Sequence, residues 1–283
     1  MSTDVDDQPF PHYTLKHKIV SWISRNLFDS VTYTVRHGLL KGMKRKGGLG
    51  WIPAVDGDST KTPEHRFLAT LNVSGKVVFD VGAFEGLVTL FLARSAKHIV
   101  CYEPNSRNHA RLRKNLELNR IQNVTVRKYA LGSTPSMSVM TSDPTMAGGA
   151  TLSSSISTTI NRRIDARHEE IQVRTLDQEL VEAHLPEPDF IKVDVEGYEL
   201  PFLHGARRLL AAKHPAIYLE MHGETMNEKR ANVRAIVEYL SAAGYDDILH
   251  VESGRKINRE NSELAARGHL YAVQGAKALL KDT

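Results

Sequence analysis

The stretch Val77-Val78-Phe79-Asp80-Val81-Gly82-Ala83-Phe84-Glu85-Gly86 decides the fold. Its apolar run reads as a buried strand, Gly82 as a sharp turn and Gly86 as the start of a helix. This turn differs from the dinucleotide fingerprint G-x-G-x-x-G. Asp80 stands where that motif has its first glycine, and Glu85 adds a second carboxylate at the helix start. A pyrophosphate is held by the N–H groups and positive dipole end of a helix N-terminus, so two acids there would repel it. A nicotinamide oxidoreductase is therefore disfavoured. A ligand with cationic groups and a ribose suits the turn better, and S-adenosylmethionine (a sulfonium, an ammonium and no phosphate) is the expected cofactor. The plainer alternative is a turn aspartate and a surface glutamate in an unrelated α/β protein.

A second apolar run, Ile99-Val100-Cys101-Tyr102, ends at Glu103. An acid roughly 20 residues beyond a glycine turn, at a strand end, is the expected acceptor for two ribose hydroxyls. From there strands and helices alternate: strand 77–80, helix 86–95, strand 98–102, helix 106–119 and strand 124–128. The pattern resumes with strands at 190–194 and 216–221 and a helix over 228–242 that stops at Gly244. Such alternation predicts an α/β fold with a mostly parallel sheet covered on both faces. Two last strands, 246–250 and 269–273, lack a helical crossover between them and read as an antiparallel closing hairpin. That hairpin separates a class I methyltransferase (Rossmann-like) sheet from the dinucleotide-binding sheet.

Between these blocks, residues 132–172 form an insert rich in Ser, Thr, Gly, Met and Asp. Its flanks, Ser136–Thr141 and Ile171–Arg174, are expected to pair as a flap over the site, since long inserts in compact domains commonly serve as lids or binding loops. A purely structural excursion is the alternative. Residues 1–60 form a basic extension and linker ahead of a domain over 61–283. Between Lys16 and Lys46 there are eight Lys/Arg and one acid, Asp29. Leu15, Ile19, Trp22, Ile23, Leu27, Val31, Val35, Leu39 and Leu40 fall near helical spacing, so an amphipathic helical extension is expected over 15–46. Such a segment packs on its own domain, on a second copy, or peripherally on an anionic membrane face.

The chain has 283 residues, 41% hydrophobic and 25% charged, enough to bury a core. A net charge of +4 is only mildly basic, and no nucleic-acid module accompanies it, so no nucleic-acid partner is expected. The single cysteine, Cys101, lies inside a strand and reads as a core residue. No apolar run approaches the length that spans a bilayer, and no signal-peptide pattern stands at the start, so a cytoplasmic location is the expectation.

Two more strands end in polar pairs, Asp194-Val195-Glu196 and Glu220-Met221-His222. Residues i and i+2 share a strand face, and the ligand crevice of an open α/β sheet lies at the carboxyl ends of its strands. Asp80, Glu103, Asp194, Glu196, Glu220 and His222 should therefore converge on one edge. Read separately, Asp194 and Glu199 could instead bond the backbone N–H groups of the following helix.

The segments VFDVGAFEG, CYEPN, ALGS, RTLDQEL, FIKVDVEGYEL and YLEMHG together resemble the FkbM family of S-adenosylmethionine-dependent methyltransferases, over roughly residues 62–250. The resemblance implies methyl transfer to hydroxyl oxygens of a small-molecule, sugar, glycolipid or polyketide acceptor. It implies a cofactor pocket shaped by Asp80, Gly82 and Gly86, with Ala83 and Glu85 in the same turn. Glu103 would hold the ribose, Asn105 and Ala130-Leu131 would lie near the adenine, and Asp194 would close the site. The expected base is His222, because neutral imidazole is available near pH 7. Glu220 and Glu196 would orient it or take the proton themselves. No metal is assigned; a hard cation on Asp194, Glu196, Glu220 and His222 is the rival mechanism. A non-catalytic S-adenosylmethionine-binding regulator is the alternative function.

Overall fold

The computed structural model describes residues 29–47, 62–143, 150–163, 166–275 and 279–280. Ahead of the main sheet, β1 (Thr32–Thr34) and β2 (Lys44–Lys46) form a short antiparallel hairpin. Helix α1 (Pro63–Thr70) is capped by the Thr62 hydroxyl and has proline in its first turn, where no backbone donor is missed. Then come β3 (Val77–Val81), α2 (Leu87–Leu92), β4 (His98–Tyr102), α3 (Ser106–Leu118) and β5 (Val124–Arg127).

In and around the insert lie β6 (Ala130–Leu131), β7 (Ser136–Ser142), β8 (Ala150–Thr151), α4 (Ser154–Arg163) and β9 (Arg167–Arg174). After it follow α5 (Leu176–Glu182), β10 (Phe190–Val193), α6 (Glu199–Gly205), α7 (Arg207–Lys213), β11 (Ala216–Glu220), α8 (Met226–Ala242), β12 (Asp247–His250), β13 (Arg255–Lys256) and β14 (His269–Val273).

The main sheet has the order β13-β12-β14-β11-β10-β3-β4-β5. The ladders from β11 through β10, β3 and β4 to β5 are parallel. β14 runs antiparallel to both β11 and β12, as the closing hairpin requires. Alternation sorts β3 between two cores. Phe79 and Val81 join Val100, Tyr102, Ile191 and Val193 on one face, while Val78 joins Ile99, Cys101 and Phe190 on the other. These side chains are at most 1% exposed, and each such burial contributes about 1.5–3 kcal/mol. Every residue of β3 is buried, Asp80 included.

The flap forms as its sequence predicts. β7 pairs with β9 over seven positions, from Ser136↔Val173 to Ser142↔Arg167, within a second sheet of order β6-β9-β7-β8. The Ser/Thr-rich helix α4 inside it has no counterpart in the sequence reading.

The N-terminal extension departs from expectation. Over 31–46 the chain forms a hairpin instead of a helix, because its backbone finds partners on α3. Lys44 and Lys46 donate N–H bonds to the side-chain oxygens of Asn119 and Asn115, and Asn119 returns one to the Lys44 carbonyl. The helical expectation for Leu15–Leu27 lies outside the described residues.

Candidate active site

Two glycines make the turn after β3 possible. Gly82 has φ of 77°, and a Cβ placed on it would lie 1.7 Å from the Asp194 carbonyl oxygen. Gly86 has φ of 86°, and its Cβ would meet the Leu112 side chain at 2.4 Å. Only glycine adopts this backbone freely and leaves room for β10 and α3 to close on the turn.

Directly beneath lies a charge that the sequence reading missed. The β10–β3 register sets Lys192 opposite Asp80. Its Nζ donates to the Gly82 carbonyl at 3.0 Å and to Asp194 Oδ2 at 3.1 Å, and stands 3.5 Å from Asp80 Oδ1. The other Asp80 oxygen accepts from the Thr89 hydroxyl at 2.5 Å. Burial opposes the Lys192 charge, but the Asp194 and Asp80 carboxylates outweigh it and hold the ammonium strongly protonated. A charged residue inside the run Phe190-Ile191-Lys192-Val193 was the available signal, since buried lysines are nearly always paired.

At the end of β4, Glu103 accepts from Phe84 N–H at 2.8 Å through one oxygen and from Asn105 N–H at 2.9 Å through the other, with Asn108 Nδ2 at 3.4 Å. It is 5% exposed, and burial pushes its carboxyl up to about 7 despite these donors. Glu103 lines a cavity with Gly82, Phe84, Asn108, Tyr129 and Tyr198; Ala130 and Leu131 form part of its wall, Met140 and Leu152 of the insert another part, and Asp194 and Glu196 its far end. The cavity opens at the carboxyl ends of β3, β4 and β10, where the strand order reverses.

Beyond Asp194 the acids gather around His222. Its Nδ1 is 2.8 Å from Glu199 Oε1, and Glu199, 1% exposed, also accepts the Gly197 N–H. Its Nε2 lies 3.6 Å from Glu196 Oε2, 3.6 Å from Glu220 Oε1 and 3.8 Å from Asp194 Oδ1. Burial disfavours a charged ring, but Glu199, then Glu196 and Asp194, push its pKa up to about 10. Burial likewise raises the Glu196 carboxyl to about 7. Glu220 faces His222 with one oxygen and His269 with the other, at 3.6 Å each, and those cations overcome its burial and hold its carboxyl low.

A family model described as the Methyltransferase FkbM domain matches residues 80–246, more than half the chain. The chain belongs to the FkbM methyltransferase family. Among solved structures it is similar to the FkbM methyltransferase of Methylobacillus flagellatus, with 20% identity and a TM-score of 0.45 over 75% of this chain and 51% of that one. It thus spans about half the length of that protein. The Streptococcus mutans protein SMU.1697c, solved in complex with SAH, matches at 12% identity and a TM-score of 0.41, over 76% of this chain and 99% of its own. An rRNA methylase from Streptococcus thermophilus matches at 14% identity and a TM-score of 0.41, over 76% and 97%. No curated protein matches the chain.

Within this FkbM domain several expected site residues stand elsewhere. Glu85 pairs with Arg45 of the N-terminal hairpin at 3.1 Å and is not among the residues that line the cavity. Ala83 is buried, its N–H bonded to the Tyr102 carbonyl. Asn105 caps α3 by accepting from the N–H groups of Arg107 and Asn108, and its neighbour Asn108 reaches the cavity in its place. Asp80 is wholly buried under the turn, with its carboxylate beside Lys192. His222 does meet the carboxylates predicted for it, together with Glu199. An imidazole so surrounded is protonated at neutral pH and cannot serve as a ready base. What the sequence reading lacked is Glu199 as a partner of the ring, added from the start of α6 to the acids that follow β10 and end β11.

Proposed function

We propose that the chain transfers the methyl group of S-adenosylmethionine to a hydroxyl oxygen of a small-molecule, saccharide or lipid-linked acceptor. The observation that carries this reading is the cavity itself. It runs from a buried carboxylate, Glu103, to a second acidic group, Asp194 and Glu196, with an apolar and aromatic wall between them. Glu103 is built to accept two ribose hydroxyls, because each of its oxygens has lone-pair capacity beyond the backbone N–H it already binds. Tyr129, Ala130 and Leu131 offer the flat apolar wall an adenine requires, and the Gly82 turn leaves space for the methionine part. When bound, the cofactor supplies a methyl group already activated by its sulfonium.

The protein's own work is then orientation and proton removal. Holding two reactants in line can contribute roughly 7–11 kcal/mol. Glu196 lines the cavity and is the carboxylate placed to take the hydroxyl proton, while His222, tethered to Glu199, positions Glu196 and Glu220. The insert strands β7 and β8 give the cavity its outer wall through Met140 and Ala150, and so bear on acceptor choice.

The test is calorimetric titration of S-adenosylmethionine and its demethylated product SAH into the full chain, followed by methyl transfer to hydroxyl-bearing and amine-bearing acceptors. Saturable binding of both, with transfer to hydroxyls alone, is the expected result. Binding without turnover of any acceptor would favour a regulator, and no binding to folded protein would end the reading.

A further inference from the structure

Asp194, Glu220 and His222 each present one donor atom, all within 4.8 Å of one another. Three details separate this group from an ordinary ion-pair cluster. The first is the histidine's tether. Nδ1 is fixed by the buried Glu199, so the ring turns its Nε2 toward the acids. A carboxylate on the far ring nitrogen is the arrangement that orients metal-binding histidines.

The second is the spacing. Nε2 stands 3.6 Å from Glu220 Oε1 and 3.8 Å from Asp194 Oδ1, too far for hydrogen bonds. An ion about 2.1–2.2 Å from both donors of each pair would subtend angles of about 110–130° at those two separations. Both angles are wider than the right angles of an octahedral site. Octahedral Mg²⁺ at about 2.1 Å would need its neighbouring donors about 3 Å apart. One imidazole with two carboxylates also suits first-row transition cations better than Mg²⁺ or Ca²⁺.

The third is His269. It is 7% exposed, its Nε2 is buried with no hydrogen-bond partner, and that atom points at the second oxygen of Glu220 from 3.6 Å. Its other nitrogen is tied to Glu252 at 2.6 Å. Closing that small gap would give Glu220 a fixed N–H donor and turn its other oxygen inward.

We infer that Asp194, Glu220 and His222 bind one divalent first-row cation such as Mn²⁺ or Zn²⁺, whose open position faces the cavity that Asp194 lines and holds a hydroxyl oxygen of the acceptor. This rests on the methyl-transfer reading for its purpose, not for its geometry. Glu199 and His269 are positioning residues, and Glu196 stays outside the coordination set.

The experiment is titration of chelator-treated full-length protein with Mn²⁺, following loss of the free-ion electron paramagnetic resonance signal, with Zn²⁺ as competitor. One saturable site per chain, displaced by Zn²⁺ and weakened about 10- to 100-fold in Glu199→Gln and in Glu220→Gln, is expected. A wild-type chain with no saturable site for either cation would overturn the inference without reliance on any variant. So would equal Mn²⁺ affinity in wild type and a folded His222→Gln. SAH is titrated into the same chelated sample. SAH binding without a cation site refutes only this inference, whereas loss of both in folded protein refutes the methyl-transfer reading as well.

Discussion

Replacing Glu103 by glutamine should weaken SAH binding about 100-fold and remove its pH dependence. Each carboxylate oxygen already accepts one backbone N–H, from Phe84 at 2.8 Å and Asn105 at 2.9 Å. The amide of glutamine has one oxygen, so its NH2 must face one of those N–H groups, donor against donor. The remaining acceptor capacity is what a ribose would use, and each charge-assisted hydrogen bond contributes about 1.5–3 kcal/mol. Losing one to two of them costs about 3 kcal/mol, or roughly two powers of ten in Kd.

The pH dependence follows from the same carboxyl, which burial raises to about 7. The ligand-binding form is the carboxylate, about nine-tenths populated at pH 8 and about one-tenth at pH 6, so the wild-type Kd should rise about tenfold between those values. Stability runs the opposite way. Between the ordinary glutamate value of 4.5 and about 7 the folded chain holds a proton that the unfolded chain has lost, so stability falls as pH rises through that window. The contribution of this group is about 3 kcal/mol. Calorimetry with SAH at pH 6 and 8, and urea denaturation across pH 4–8, on wild type and Glu103→Gln, measure both effects. A pH-independent wild-type Kd, or a variant within about threefold of wild type, would refute the reasoning.

Lys192→Met should cost about 3–5 kcal/mol in urea denaturation, because it leaves Asp80 buried opposite Asp194 with their shared cation gone; adding Asp80→Asn should recover part of the loss. Gly82→Ala should destabilise by at least about 1–2 kcal/mol from its left-handed backbone alone, with more from the Asp194 carbonyl in its path, and should abolish SAH binding; a wild-type melting temperature would contradict this. Glu85→Gln removes the charge from the largely buried pair with Arg45, so stability should fall by about 1–3 kcal/mol while SAH affinity changes by less than twofold; a large loss of affinity would return Glu85 to the cofactor site.

Much of the frame is legible because its signals are local. Apolar runs of four or five residues closed by Gly82, by Glu103-Pro104 or by Asp194 mark the parallel strands, and the strand ends place Glu103, Asp194, Glu196, Glu220 and His222 on one edge. The resemblance carried by DVEGYEL points to the same edge, and the FkbM family match bears out the family resemblance itself. The pairing of β7 with β9 was legible as well, because both segments alternate between polar and apolar residues. The N-terminal hairpin was not. Its apolar spacing fits a helix, and the Asn115 and Asn119 side chains, some 70 residues away, add to the hairpin's own ladder the partners that hold it on α3.

By itself, then, the amino-acid order determined the alternating α/β frame, the glycine turn and the edge where the acids gather, because each depends on residues within a few positions of one another. Only the tertiary structure decided what those acids do. Parallel register puts Lys192 across from Asp80 and gives that buried carboxylate a cation beside it. Burial raises Glu103, and the meeting of the ends of β10 and β11 with α6 surrounds His222 with carboxylates that favour its protonated form. Charge, burial and distance act between groups far apart in the chain, so these roles exist only once the strands are side by side.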